Sequence, residues 1–104
     1  MATRVVHVYK NGASYFAYPP VTVLRGGVDQ IKVVNHTAEE VQWSVGHGPF
    51  DAARAHSEKV AKDGGVSSSQ KARRIRAAIP YKIVGVKSGK RAKGNSDPVV
   101  IIDM

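Results

Sequence analysis

Short runs of alternating apolar and polar residues, separated by turn residues, constrain this chain more than any other feature of its sequence. The clearest run is residues 41–45, in which Val41, Trp43 and Val45 alternate with polar residues. Successive side chains of a β-strand point to opposite faces, so this run predicts a half-buried strand with Trp43 in the core. Glycine, proline and asparagine punctuate the chain roughly every 8–12 residues, which is typical of an all-β fold.

The same pattern predicts about seven short strands in a two-sheet Greek-key β-sandwich, with one domain over residues 1–104. Within residues 73–83, apolar residues occupy the odd positions from 75 to 83, which places Tyr81 in the core. Pro80 is expected to bend or interrupt this strand. The clearest predicted strands cover residues 4–10, 21–24, 28–35, 39–45, 73–83 and 99–102.

Residues 51–62 are the segment whose secondary structure the sequence leaves open. They are rich in Ala, Lys and Glu, Asp51 is suited to cap a helix, and residues 63–65 would end it. A strand near residues 58–61 is the alternative. At most one short helix is therefore predicted.

The chain contains no cysteine, which excludes a disulfide framework, a thiolate nucleophile, an iron–sulfur cluster and a cysteine-ligated metal.

The first ten residues lack the apolar stretch of a signal peptide, and no window approaches the roughly 20 apolar residues of a membrane span. If Met1 is the native start, we expect a cytoplasmic protein. If a signal was removed, we expect a periplasmic or secreted one.

Basic residues are concentrated in the second half of the chain. Lys and Arg total 16 against 8 Asp and Glu, and residues 1–53 have no net charge, so the whole excess of +8 lies in residues 54–104. Residues 71–93 contain no acid, which predicts a basic face that binds polyanions, although a solvated face that maintains solubility is the alternative. The predicted polyanion-binding residues are Lys71, Arg73, Arg74, Arg76, Lys82, Lys87, Lys90, Arg91 and Lys93.

The pattern also limits how a polyanion would be recognised. Arg74, Arg76 and Lys82 share one strand parity, whereas Tyr81 has core parity and leaves the block without interleaved aromatic side chains. Base stacking is therefore not expected, and no helix is placed to enter a major groove. The expected partner is a nucleic acid, an acidic protein or an anionic surface, held mainly by charge.

Several segments, in chain order, resemble a cupredoxin-like domain. Residues 20–37 are similar to that family's strand, glycine turn and second strand ending in Asn, and residues 41–45 follow where its next core strand lies. Residues 75–83 and 97–103 are similar to its last two strands, with Tyr81 at the position of the family's tyrosine. The resemblance implies a cupredoxin-like sandwich.

The family's copper site does not carry over to this sequence. A type 1 copper centre needs a Cys thiolate, two His and usually a weak axial Met. The Cys would fall near Gly85, and the second His and the Met would fall in the following loop, which is lysine-rich here. His36 lies before the family's first ligand position, near Val41. We therefore expect a copper-free protein that is not redox-active and has no cofactor.

Other site chemistry has little support in the sequence. His36, His47 and His56 are the candidates for a histidine-only metal site, but surface or loop histidines are the favoured interpretation. No Gly-x-Ser-x-Gly motif is present, and Glu39 and Glu40 are adjacent, so on a strand they face opposite sides. The protein is therefore not expected to be an enzyme.

Three functional hypotheses follow. The first is a non-enzymatic binding module that holds an anionic partner at residues 71–93. The second is a structural or self-assembling protein, a homo-oligomer joined at its sheet edges, in which the charge serves solubility. Residues 99–102 are apolar on both faces, which is typical of either a central strand or an interface. The third is a histidine-dependent metal-binding protein.

Overall fold

The computed structural model describes residues 3–11, 14–46, 56–87 and 98–103. These residues form ten strands and no helix, which confirms the prediction of an all-β fold. In chain order the strands are β1 Thr3–Asn11, β2 Ser14–Tyr18, β3 Val21–Arg25, β4 Gln30–Asn35, β5 Val41–Val45, β6 His56–Val60, β7 Gly65–Val66, β8 Gln70–Lys71, β9 Ala77–Gly85 and β10 Val99–Asp103.

The strands form two mixed sheets that pack face to face as a β-sandwich. The first sheet has the order β2-β1-β4-β7, and β8 also pairs with β4. The second has the order β3-β10-β9-β5-β6. One parallel pair lies in each described sheet, β1 with β4 and β3 with β10, and the other pairs are antiparallel. The chain crosses between the sheets after β2, β3, β4, β6 and β8.

The core lies between the sheets, where the alternating pattern places it. In β5 the side chains of Val41, Trp43 and Val45 are buried and those between them are more exposed. Trp43 and Tyr81 are both fully buried, and their rings meet edge to face with centroids 6.1 Å apart. The predicted core positions of these two aromatic residues are confirmed. The contact stabilises the packing of the adjacent strands β5 and β9.

Residues 56–60 are a strand, so the helical alternative for residues 51–62 is wrong over its described part. β6 pairs antiparallel with β5, with Val60 opposite Val41 and Glu58 opposite Trp43. This pairing satisfies the backbone of an Ala- and Lys-rich segment whose local preference is helical. Residues 51–55 lie outside the described residues. After β6 the chain turns through Asp63 and Gly64, both with positive φ.

The strand predicted over residues 73–83 begins only at Ala77, and Pro80 does not interrupt it. β9 pairs with β10 through residues 77–80 and with β5 through residues 81–85. Pro80 thus lies where the strand changes partner, a position that tolerates a residue without a backbone N–H. Residues 73–76 form an irregular segment before the strand.

The apolar residues 99–102 form the main part of β10, which lies between β3 and β9. Val100 and Ile102 are fully buried in the core, and Val99 and Ile101 are partly covered on the outer face. Of the two predicted roles for this segment, the central strand is confirmed.

The Tyr81 hydroxyl is buried beside that of Thr22, and neither makes a hydrogen bond of acceptable geometry within the described residues. Burial raises the pKa of the Tyr81 phenol, an effect that the Thr22 hydroxyl only partly offsets. An unfolded tyrosine has a pKa near 10.0, so unfolding above that pH releases a proton. Stability from Tyr81 is fully present below pH 10 and is lost as the pH rises above it.

We expect Tyr81→Phe to leave stability at pH 7 unchanged or raise it by up to about 1 kcal/mol, because an unpaired buried hydroxyl is removed. We also expect it to reduce the loss of stability above pH 10. Urea unfolding at pH 7 and at alkaline pH measures both effects. Tyr9→Phe, at an exposed residue, is the control. A large loss of stability at pH 7 in Tyr81→Phe would show that the hydroxyl has a stabilising partner.

Candidate functional site

The predicted basic block divides into groups at opposite ends of the sandwich. Arg76 precedes β9 and Lys87 follows it, and the eight steps from Ala77 to Gly85 cover roughly 26 Å. Lys82 lies between them, exposed in the middle of β9 opposite Ser44 of β5. The described residues of the block therefore do not form a single contact surface over residues 71–93. Lys90, Arg91 and Lys93 lie outside the described residues.

Basic residues from separate parts of the chain meet at the end of the sandwich where β9 begins. Arg25 is the last residue of β3 and pairs with Asp103, the last described residue of β10. Arg76 Nε lies 3.6 Å from Asp103 Oδ1. Arg4 lines the same surface depression as Arg25 and Asp103. We call this surface the basic end, and its cations are Arg4, Arg25, Lys71, Arg73, Arg74 and Arg76.

A glycine turn after β3 makes this convergence sterically feasible. Gly27 has φ +76°, a conformation that glycine adopts without strain. The side chain of Arg74 packs over Gly27, with its Nε 3.4 Å from the position a Cβ would take. At Gly26 a Cβ would lie 2.8 Å from the carbonyl oxygen of Arg73. Residues 73–76, which contain three of the arginines, therefore pack directly against the two glycines of the turn.

Backbone hydrogen bonds attach the turn to its neighbours. Gly26 N–H donates to the carbonyl of Asp103, and Gly27 N–H donates to the carbonyl of Ala72, both at 2.9 Å. Asp29 is buried, and its Oδ2 accepts from Arg25 N–H at 2.9 Å. The carbonyl of Asp29 also accepts from Ala72 N–H at 3.0 Å. The basic end therefore rests on a hydrogen-bonded backbone rather than on a free loop.

Charge at the basic end is only partly neutralised. Among the described residues it has six cations and two carboxylates, Asp29 and Asp103. The side chains of Arg76 and Asp103 are 76% and 66% exposed, so their ion pair contributes little to stability. Arg25 ends β3 and Arg76 immediately precedes β9, on opposite sides of β10, so the two arginines are about two strand spacings, roughly 10 Å, apart across the sheet. This arrangement is suited to contact separate anionic groups.

Arg4 and Arg25 are the members of the basic end that the sequence analysis missed. They belong to the half of the chain with no net charge, and nothing in their local sequence distinguishes them. The signal that locates them is non-local. β3 pairs in parallel with β10, and β1 in parallel with β4, whose first residue Gln30 lies opposite Lys71.

Of the three histidines in the metal alternative, the structure describes His36 and His56. His36 Nε2 lies 2.8 Å from Nδ1 of His7, which the sequence did not select. His56 belongs to β6 in the other sheet, and His47 lies outside the described residues. Within the part of the chain that the structure describes, no three His, Cys, Asp or Glu residues are placed to hold a metal ion.

His36 also belongs to a group of aromatic rings on the outer face of the first sheet. Its ring is 4.8 Å from that of Tyr9 at an interplanar angle of 8°, and Tyr9 is 5.6 Å from Phe16. Odd-numbered residues of β1, His7 and Tyr9, carry two of these rings. The rings pack against one another and not against the basic end.

No protein-family model and no curated protein matches this chain. Among the described residues, no helix is long and apolar enough to cross a membrane.

We expect Gly26→Ala to destabilise the protein by about 1–3 kcal/mol, because the added methyl group meets the Arg73 backbone in a packed turn. Denaturant unfolding measures the loss, and amide chemical shifts should change at residues 72–76. Gly46→Ala is the matched control, since nothing lies within 4 Å of its Cβ position. Equal stability of the two variants would contradict the close packing of this turn.

Proposed function

We propose that this protein is a non-enzymatic binding domain that holds an anionic macromolecule at its basic end, on a copper-free cupredoxin-like sandwich. The observation that carries the proposal is the convergence of six cations from four parts of the chain. They come from β1, β3, β8 and the segment 73–76, and they surround only two carboxylates among the described residues.

Several physical features support anion binding at this surface. Four of the cations are exposed arginines, whose guanidinium groups bind phosphate, sulfate and carboxylate oxygens through paired hydrogen bonds. A polyanion releases condensed counterions when several such groups contact it. The hydrogen-bonded turn holds the arginine backbone in place before binding, which lowers the entropic cost.

The same geometry supports recognition of charge rather than of sequence. The described residues contain no helix to enter a major groove, and the stacked rings of Tyr9, Phe16 and His36 pack against one another on the outer face of the first sheet. The nearby carboxylate of Asp29 accepts a hydrogen bond that maintains the turn. Its structural role supports binding rather than catalysis.

We expect Arg25, Arg74 and Arg76 changed together to Gln to weaken binding to heparin, duplex DNA and single-stranded RNA. Loss of three phosphate contacts should lower the slope of log affinity against log salt for duplex DNA by up to about 3. Titration at several salt concentrations measures both quantities. Differences among the three ligands would identify the partner class.

The matched control is the Gln variant of Lys10, Lys62 and Lys87, three lysines at the opposite end of the sandwich. Both triple variants lower the net charge of +8 by three, so a difference between them reports position rather than total charge. Asp103→Asn should act in the opposite direction and tighten binding. Equal weakening by the two triple variants would show that the charge acts only as a general solvated surface.

Self-assembly is a second candidate, supported by the edge of the second sheet. β3 is the last described strand of that sheet, and Val21 and Val23 are 48% and 54% exposed. Exposed apolar edge strands are open to pairing with another chain. We expect the mass from light scattering to rise with concentration, and Val23→Lys to abolish the rise. A wild-type protein that stays monomeric throughout would exclude this function.

A further inference from the structure

A cavity of about 620 Å³ lies at the end of the sandwich opposite the basic end. It is bounded by Lys10 near the end of β1, by Tyr15 of β2, by the segment between β4 and β5, and by Val86 after β9. Its volume lies within the range of small-molecule sites, roughly 300–1,000 Å³. We call it the Lys10 cavity.

The Lys10 cavity has apolar walls on a rigid base. Tyr15 is 5% exposed, and the other apolar lining residues are Val86 and two alanines, Ala38 and Ala61. The buried side chains of Asn35 and Thr37 fix the backbone at the base of the cavity. Asn35 Nδ2 donates to the Glu39 carbonyl at 2.7 Å. Thr37 Oγ1 lies 2.9 Å from the same carbonyl oxygen. The cavity is therefore largely formed before any ligand enters.

Three ammonium groups surround this cavity. They belong to Lys10, Lys62 and Lys87, and none makes an ion pair with a described residue. Lys10 Nζ lies 5.5 Å from the centroid of the Tyr15 ring, which directs one positive charge toward the apolar wall. An anion at this position would meet several cations at once.

The carboxylate of Glu39 is held by the protein. Tyr15 donates its hydroxyl proton to Oε1 at 2.8 Å, and Lys87 N–H donates to Oε2 at 3.2 Å. With Glu40, the described lining residues have two carboxylates against three ammonium groups, a net charge of +1. One anionic group matches this surplus, whereas a polyanion would be repelled by the two carboxylates.

We infer that the Lys10 cavity binds a small amphipathic molecule with a single anionic group, a carboxylate or sulfonate, and an apolar body. The anionic group lies among the three lysines, and the apolar body packs against Tyr15 and Val86. This ligand site is separate from the proposed polyanion-binding surface and does not depend on it.

The test uses the anionic dye 8-anilinonaphthalene-1-sulfonate and its uncharged analogue N-phenyl-1-naphthylamine, each followed by fluorescence. We expect Gln at Lys10, Lys62 and Lys87 to weaken binding of the anionic dye at least tenfold and to change binding of the uncharged analogue little. Ala38→Phe, which fills the cavity, should weaken both. Decanoate should displace the anionic dye from the wild type.

The control is the variant with Gln at Arg25, Arg74 and Arg76, which has the same net charge and an unaltered cavity. Equal loss of dye binding in both triple variants would overturn the inference, because the dye would then report surface charge alone. Unchanged binding in Ala38→Phe would overturn it as well. Polyanion titrations of the same variants keep the two proposals distinct, since heparin binding depends on the arginines and dye binding on the lysines.

Discussion

The turn at Gly26 and Gly27 is the constraint on which the basic end depends. Its two N–H groups donate to carbonyls of β10 and of the segment before β9. Inside the turn, Asp29 Oδ2 accepts from Arg25 N–H. These bonds satisfy backbone groups that would otherwise be costly to bury. They also bring Arg25 and Arg74, distant in sequence, to one surface. Because glycine has no side chain, the arginine segment lies directly against the turn.

A buried asparagine has the corresponding role at the other end. Asn35 Oδ1 accepts from the N–H and the hydroxyl of Thr37, and its Nδ2 contacts the carbonyls of Glu39 and Val60. Val60 belongs to β6 of the second sheet and Asn35 to β4 of the first, so this side chain joins the two layers. The two ends thus differ in construction. One presents exposed arginines beside a packed glycine turn, and the other surrounds a cavity with lysines.

Alternation along single strands was the most dependable signal in this sequence. It located Trp43 and Tyr81 in the core and residues 99–102 in the sheet, because side-chain direction in a strand depends on the local backbone alone. Composition was a weaker guide at residues 56–60, where it favoured a helix over the alternative strand, because pairing with β5 outweighs a weak local preference. Alternation was wrong at residues 73–76, where it begins before β9 does.

The sequence by itself determined the all-β class, the main core residues, the absence of cysteine chemistry and the excess of positive charge. Only the tertiary structure decided how that charge is distributed. It separated Arg76 from Lys87 along the length of β9 and brought Arg4 and Arg25 beside Arg76. The physical reason is that strand pairing joins residues far apart in the chain. The local sequence does not show that β3 pairs in parallel with β10, because any strand of suitable pattern satisfies the same backbone hydrogen bonds.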